Sequence, residues 1–164
     1  ANKLIDCVKG VMFTLNQAVY PYVSNKLKEG MTPAIIFIKK YFLMYSGGTF
    51  FGGSILFVIA PFVVRILFGS GYEESVFILR LMAFLPFIIS ISNVFGIQIM
   101  LNFGYQKIFS RILIVAAIFD LILIIPLVQS FEGVGAAITM ILVELMVTLG
   151  TAWYVLKIKK IKLL

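Results

Sequence analysis

Residues 41–64 read YFLMYSGGTFFGGSILFVIAPFVV and contain no charged side chain. A helix crosses the hydrocarbon core of a bilayer with about 20 predominantly apolar residues, so this stretch is long enough to span a membrane. Other stretches without charge lie on both sides of it, at residues 10–25, 81–106, 112–119, 121–131 and 133–143. The sequence therefore predicts an all-helical integral membrane protein.

The composition of the whole chain agrees with this prediction. Of the 164 residues, 62% are hydrophobic and 13% are charged. Soluble domains are about 45–50% apolar and about 25% charged, and disordered chains are polar and charged. A soluble domain and a disordered chain are both excluded, because this much apolar surface requires lipid around it.

Turn signals divide residues 1–164 into five predicted transmembrane helices with short connections, which should make successive helices antiparallel. The second helix is expected to extend back to Thr32 as its N-cap and Pro33 in its first turn. The predicted breaks lie at residues 25–30, 69–71, 102–104 and 129–133. The predicted helices are 2–24, 41–68, 75–101, 107–128 and 133–156, followed by a cytoplasmic tail at 157–164.

Basic residues cluster at alternate connections and in the tail. The remaining two connections contain no Lys or Arg, and their only charged residues are glutamates. The positive-inside rule then predicts that the chain starts outside the cytoplasm and ends within it. An odd number of spans with an outside start, in a chain without an initial Met, indicates a fragment of a longer protein. The clustered basic residues are Lys26, Lys28, Lys39, Lys40, Lys107, Arg111, Lys157, Lys159, Lys160 and Lys162.

A polar stripe runs along the first predicted helix, because its members recur at helical spacings and occupy about 100° of arc. It indicates either a polar contact with another helix or the wall of a water-filled cavity. The cavity is favoured because the stripe carries charge. The stripe consists of Asn2, Asp6, Lys9, Asn16, Gln17, Tyr20 and Ser24.

Glycines, prolines and arginines mark the next two helices. The small residues at 46–49 and 52–54 favour close helix packing, with a locally opened helix beside a cavity as the alternative. Pro61 and Pro86 are expected to bend their helices. Arg65 and Arg80 face each other across one hairpin, where they either extend to lipid headgroups or line a cationic cavity entrance. Two amides of the third helix, at Asn93 and Gln98, are further candidates for cavity lining.

Asp120 and Glu144 lie inside the fourth and fifth predicted helices. A carboxylate at membrane depth costs at least about 2.5 kcal/mol, so it usually faces the protein interior and finds a partner. Both residues fit a structural hydrogen bond to a neighbouring helix. Coupling of transport to a proton or a sodium ion is the alternative.

Several classes of function have no support in the residues. The chain has no histidine and only Cys7, which removes the commonest general base and any cysteine metal site. No catalytic site, metal or cofactor is predicted, and the net charge of +7 is assigned to cytoplasmic loops rather than to nucleic-acid binding. A membrane-embedded glycan-processing enzyme would need clustered carboxylates or histidines, which the sequence lacks.

The order of several short motifs resembles the C-terminal half of Wzx-type polysaccharide flippases, in the multidrug/oligosaccharidyl-lipid/polysaccharide exporter superfamily. The resemblance covers nearly the whole chain and depends on the order of the motifs rather than on any single one. Asp120 departs from the pattern, since asparagine is expected there. The motifs are PYVS at 21–24, LFGSGY at 67–72, LR at 79–80, GYQK at 104–107, GVGAA at 133–137 and the following Glu144.

The resemblance implies the last five of twelve or more spans of a two-bundle, MATE-like flippase in the bacterial inner membrane, with its first residues periplasmic. Such proteins move an undecaprenyl-diphosphate-linked oligosaccharide by alternating access. Lys9, Arg65 and Arg80 would then meet the diphosphate, and the polar stripe would meet the sugars. The implied partners are that substrate, membrane lipids, the missing N-terminal helix bundle and the polysaccharide polymerase machinery.

Three alternatives remain open from the sequence. A multidrug/cation antiporter of the same superfamily would carry acidic residues deep in its cavity, and the arginines speak against it. A peptidoglycan-precursor flippase would share the same architecture. A scaffold subunit without transport activity is a third possibility, and the polar stripe argues against it.

Overall fold

The computed structural model describes residues 2–69 and 73–158, and almost all of them are helical. The side chain of Asn2, the connection residues 70–72 and most of the predicted tail, residues 159–164, lie outside the described part. Within it, helices α1 to α5 and two π-helical segments follow one another. The α-helices are Asn2–Glu29, Met31–Phe68, Glu73–Met82, Leu85–Asn93 and Gln106–Trp153, and the π-helical segments are Val94–Leu101 and Tyr154–Ile158.

Helices α1 and α2 form an antiparallel hairpin around Gly30. Its φ of +142° is a conformation that glycine adopts readily, so a single residue breaks the helix. The rings of Tyr22 and Phe37 lie 4.5 Å apart near the turn. The predicted break at residues 25–30 is therefore too long, because residues 25–29 continue α1. Thr32 as N-cap is also wrong, since α2 begins at Met31 and Gly30 takes the cap position without a side-chain bond.

The next hairpin pairs α2 with α3 and α4. The ring pairs Phe57–Phe84, Phe50–Phe87 and Phe42–Phe95 follow each other along it, as antiparallel helices require. The predicted third helix is interrupted between Met82 and Leu85, just before Pro86, which confirms the expected bend.

The predicted glycine contact is confirmed at one position of four. A Cβ on Gly53 would lie 2.6 Å from the carbonyl oxygen of Ala83, so only glycine lets α2 approach the break between α3 and α4. Added Cβ atoms on Gly47, Gly48 and Gly52 would meet nothing within 4 Å. Most of the glycine cluster therefore faces open space in this part of the chain.

Helix α5 reverses direction at Glu132, whose φ of 48° and ψ of −123° are not helical. Two arms result, at 106–131 and 133–153. They pack antiparallel, because Gly135 lies against the carbonyl group of Leu127 and a Cβ on Gly150 would lie 3.3 Å from Ile112. The predicted break at residues 129–133 thus coincides with the reversal.

Three helical stretches of the described residues are long and apolar enough to cross a membrane: Met31–Leu67, Glu74–Leu101 and Gln106–Lys157. This differs from the five predicted spans. Helix α1 is not among the three, and the polar residues of its stripe lower its hydropathy. The third stretch covers 52 residues and contains the reversal at Glu132, so both arms fall within it.

The hairpins bring the basic connections to one end of the bundle. The end of α1 and the start of α2 lie there, and the ring of Tyr105 before α5 lies 5.6 Å from that of Tyr154 at its other end. The turn at Glu132 lies at the opposite end. At the basic end, a hydrogen bond and salt bridge of 2.8 Å to Glu29 raise the pKa of Lys26.

Candidate functional site

Two separate groups of polar side chains lie between the apolar helices. We call the first the Asn16 cluster, which consists of Asn16, Tyr41, Tyr45 and Gln98. We call the second the Lys9 cavity, which is lined by the charged side chains of Lys9, Asp120 and Glu144.

The Asn16 cluster joins α1 to α2 and to the first π-helical segment through hydrogen bonds. The Asn16 amide donates to the hydroxyl of Tyr45 at 3.1 Å, and its Oδ1 accepts bonds from Tyr41 at 3.4 Å and from Gln98 at 3.2 Å. Asn16 and Gln98 are fully enclosed, with exposures of 1% and 0%. The cluster carries no formal charge and satisfies most of its polar atoms.

A ladder of hydroxyl groups continues the polar contacts between α2 and α4. Thr49 donates to Ser90 at 3.2 Å, and Ser90 in turn donates to Ser46 at 3.0 Å. From α5, Thr148 donates to the carbonyl oxygen of Ile88 at 3.1 Å. These bonds replace the close glycine packing that the sequence suggested as the main contact of this region.

The Lys9 cavity lies between α1 and the two arms of α5 and has a volume of about 390 Å³. Lys9 enters from α1, Asp120 comes from the first arm and Glu144 from the second. The arms bring the carboxylates to one level because they pair antiparallel about Glu132. Apolar side chains complete the wall, namely Met82, Ile124, Ala136, Ala137, Met140 and Val143.

The carboxylates lie deep in the bundle. Glu144 lies about 18 Å along its arm from Glu132, and Asp120 lies about the same distance on the other side, at 1.5 Å per residue. A hydrocarbon core is about 30 Å thick, so both groups lie near its middle if the arms cross it upright.

The charges of the Lys9 cavity are not paired in this conformation. The ammonium group of Lys9 lies 3.3 Å from the sulfur of Met140, which is a weak acceptor. Among the side chains that the structure describes, the Lys9 ammonium makes no salt bridge within 4.0 Å, and the shortest ion pair is Lys26–Glu29 at the basic end. One ammonium group and two carboxylates therefore share a space wide enough for water or an ion.

A neighbouring cavity of about 410 Å³ shares Asp120, Val143 and Glu144 with the Lys9 cavity. Asn93 and Ser92 of α4 line its other side. Asn93, predicted as a cavity-lining residue, thus lies across this space from the two carboxylates. The shared residues show that the two cavities are adjacent, and Asp120 and Glu144 line both of them.

The other predicted site residues lie elsewhere. Gln17 and Tyr20 line a largely apolar groove of about 480 Å³ against the first π-helical segment. Asp6 is exposed on α1. Gln98 is buried in the Asn16 cluster, so its predicted place in a cavity wall is replaced by a helix–helix contact.

The two arginines do not line the Lys9 cavity. Arg80 donates to the carbonyl oxygen of Phe57 at 3.2 Å and lies over the ring of that residue. Phe57 precedes Arg65 by eight residues in α2, a distance of about 12 Å along the axis, and Arg65 itself is exposed. Of the three cations predicted to meet the diphosphate, only Lys9 lines this cavity, and Arg80 is bonded back to the backbone of α2.

The convergence of Lys9 with Asp120 and Glu144 was not predicted from the sequence. A signal for it exists in the second arm, where Ala137, Met140 and Glu144 recur at helical spacing and so share one face. Only the reversal at Glu132 shows that this face meets Asp120.

Comparison with known proteins gives two curated relatives. Over 150 residues, the chain is 41% identical to a protein of Escherichia coli (strain K12) named "Putative O-antigen transporter". The alignment covers 90% of this chain and 36% of that relative. Over most of its length the chain is therefore similar to part of a protein of that name.

A second protein of the same name, from Shigella dysenteriae, is 30% identical over 151 residues, covering 91% of this chain and 37% of the relative. The resemblance to Wzx-type flippases is thereby confirmed. The chain spans little more than a third of the length of these two relatives. No family model and no solved structure matches it.

Both relatives are named as transporters, and the described part of this chain has three helical stretches long and apolar enough to cross a membrane.

Proposed function

We propose that this chain is part of a transporter that flips an undecaprenyl-diphosphate-linked oligosaccharide across the bacterial inner membrane for surface polysaccharide synthesis. The observation that carries the proposal is the 41% identity to the "Putative O-antigen transporter" of Escherichia coli. The apolar exterior of the helices and the polar region inside the bundle support it, because a lipid-linked sugar needs both environments.

The proposed topology has five crossings, namely α1, α2, the helical run from α3 to residue 101, and the two arms of α5. The basic end lies in the cytoplasm and the turn at Glu132 in the periplasm. A MATE-like arrangement of two bundles, with alternating access between them, completes the proposal. The five helices would then be packed against an N-terminal bundle that meets the polar face of α1, and polysaccharide polymerase machinery would act on the flipped product.

Labelling of single cysteines tests this topology. Cys7 is the only cysteine in the chain, so Cys7→Ser gives a background without thiols from this region. We expect an impermeant thiol reagent added to whole cells to label a cysteine at Glu132 and not one at Asn102. Labelling at Asn102 and not at Glu132 would contradict the orientation.

The Lys9 cavity is the proposed site of energy coupling. Its formal charge is −1 with both carboxylates ionised, and it becomes neutral when one proton or one monovalent cation is bound. A net charge inside low-dielectric surroundings is unfavourable, so this uptake is favoured. Asp120 and Glu144 are the coupling groups, and Lys9 compensates one of the two carboxylates. Asn93 provides a neutral polar wall beside them.

A multidrug/cation antiporter is the second candidate function. The observation that favours it is the pair of carboxylates in the cavity, which a cationic drug would neutralise. In the sequence, Arg65 and Arg80 were evidence against this function. Because neither lines the Lys9 cavity, they do not disfavour the binding of a cation there.

Deletion and complementation distinguish the two candidates. We expect loss of the gene in its own host to abolish surface polysaccharide, with an intracellular increase of the lipid-linked precursor, and expression of the intact protein to restore it. Unchanged polysaccharide together with increased sensitivity to cationic drugs would favour the antiporter and contradict the flippase.

A further inference from the structure

An open groove of about 690 Å³ lies on the outer side of α5, between its two arms. It is separate from the Lys9 cavity and shares no lining residue with it. We call it the arm groove. Its apolar lining residues are Ile108, Ile112, Val115, Phe119, Leu142, Leu145, Met146, Leu149 and Gly150.

The arm groove has one charged residue, Arg111, and it lies at the basic end of the bundle. From Arg111 to Phe119 the groove follows its arm for about 12 Å, at 1.5 Å per residue. The walls are substantially exposed, with Val115 at 52% and Leu149 at 67%. A molecule that fits this shape has a charged group at the cytoplasmic surface and an apolar chain directed into the membrane.

A second cation stands beside Arg111. Lys107 precedes it by four residues on the same helix, so the two side chains share one face with Cβ atoms about 5–6 Å apart. Both residues are exposed, and no hydrogen bond or ion pair within the described residues engages either of them. Two adjacent free cations match the charge of a diphosphate better than that of a phosphodiester, which carries a single negative charge.

We propose that the arm groove binds the first part of the polyprenyl chain of the lipid-linked substrate, with its diphosphate held by Arg111 and Lys107. The proposal rests on the proposed flippase function and adds a binding site for the substrate at the cytoplasmic surface. The guanidinium fork of Arg111 suits bidentate bonds to phosphate, and Lys107 adds a point charge. An ordinary membrane phospholipid is the competing occupant.

Photo-crosslinking in the intact protein tests this site. Val115 and Ile118 lie on the same arm with nearly equal exposures of 52% and 53%, but only Val115 lines the groove. Each is replaced by benzoylphenylalanine, and the purified protein in nanodiscs is irradiated with radiolabelled undecaprenyl diphosphate. We expect strong labelling at Val115 and at most about a tenth as much at Ile118, and a tenfold excess of phosphatidylglycerol should leave it largely intact.

Charge variants test the diphosphate contact in the same assay. Arg111→Gln should reduce labelling at Val115 about tenfold, the effect of losing roughly 1.4 kcal/mol of charge-assisted hydrogen bonding. Lys107→Gln should reduce it less. Lys40→Gln removes an exposed charge from α2 at the same end and serves as the matched control, with labelling unchanged.

Equal labelling at Ile118, or displacement by phosphatidylglycerol as effective as by unlabelled undecaprenyl diphosphate, would overturn the groove assignment. Measuring surface polysaccharide in the deletion host distinguishes failure of the groove assignment from failure of the flippase proposal. Complementation without labelling at Val115 refutes the groove alone. Absence of complementation by the intact protein refutes the flippase itself.

Discussion

The Asn16 cluster and the Lys9 cavity are both polar and both lie among apolar helices, but they differ in charge and in how their atoms are paired. The Asn16 cluster is neutral and bonded within about 3.4 Å at each contact. The Lys9 cavity holds three charged groups in about 390 Å³, with the ammonium against a sulfur. The first arrangement suits a fixed joint between helices, and the second suits the binding and release of an ion.

This comparison shows that polarity alone does not identify a functional site in a membrane bundle. A neutral group whose hydrogen bonds are satisfied stabilises one arrangement of helices, because any other arrangement leaves its polar atoms without partners. A buried charged group without a close partner is unfavourable unless a proton or an ion of opposite charge binds to it. The two regions should therefore respond differently to substitution.

The largest expected effect comes from forcing apart the two arms of α5 that carry Asp120 and Glu144. A Cβ on Gly135 would collide with the backbone at Leu127, which cannot move aside as a side chain can. We expect Gly135→Ala to lower the free energy of unfolding by about 3 kcal/mol, the upper end for overpacking. Reversible unfolding in mixed micelles measures this change.

Gly133→Ala is the matched control for that variant. A Cβ there would meet only the terminal methyl of Ile78, at 3.2 Å, which can rotate away. An equally large loss of stability in Gly133→Ala and Gly135→Ala would contradict a tight backbone contact between Gly135 and Leu127.

The next effect, in size, tests the Asn16 cluster. Asn16→Leu removes three side-chain bonds to Tyr41, Tyr45 and Gln98. Hydrogen bonds between membrane helices average about 0.6 kcal/mol, so we expect a loss of roughly 2 kcal/mol in unfolding free energy. Gln17→Leu, on the adjacent exposed position, should change the stability little. Transport per folded molecule should stay near normal in Asn16→Leu, and its collapse would show that the cluster does more than join helices.

The opposite pattern is expected in the Lys9 cavity. Glu144→Gln keeps the shape of the side chain and removes its charge, so we expect transport to fall about tenfold or more at an unchanged amount of membrane protein. Such a fall corresponds to about 1.4 kcal/mol of lost coupling. Surface polysaccharide divided by protein amount is the readout. Glu132→Gln, an exposed glutamate in the same helix, should retain transport, and equal loss in both would point to a general effect of charge.

The smallest effect is expected at the exposed end of the polar stripe. Asp6 lies on α1 with Lys9 but is exposed. We expect Asp6→Asn to leave transport within about twofold, because Asp6 does not line the Lys9 cavity that holds the proposed coupling groups. A fall comparable to that of Glu144→Gln would extend the charged site beyond the cavity and weaken the contrast between the two regions.

Much of the fold follows from the sequence because the chain is so apolar. Charge-free stretches predict the helices, and short connections predict hairpins, which the ring pairs of α2 with α4 and with the first π-helical segment confirm. Helix ends were less predictable. Residues 25–29 are polar enough for a loop, yet they extend α1 until Gly30, since the Lys, Leu and Glu residues among them are good helix formers.

The candidate site was only partly predictable, for a geometric reason. Lys9, Asp120 and Glu144 were each recognised as unusual charges within apolar stretches. Their meeting depends on the rotation of three helical faces about their axes, which a single sequence does not determine. The position of Arg80 was unpredictable for the same reason. It was a candidate for the cavity wall, but its side chain donates to the carbonyl oxygen of Phe57 instead.

The most direct test is a double-mutant cycle on transport with Lys9→Met and Glu144→Gln in the intact protein. If both groups act in one cavity, their contributions are coupled, and the effects of the single variants should not add. We expect the double variant to transport no worse than Glu144→Gln alone, because removing the ammonium returns the cavity, which then holds only the Asp120 carboxylate, to its original formal charge of −1. A double variant whose loss equals the product of the two single losses would contradict a shared site.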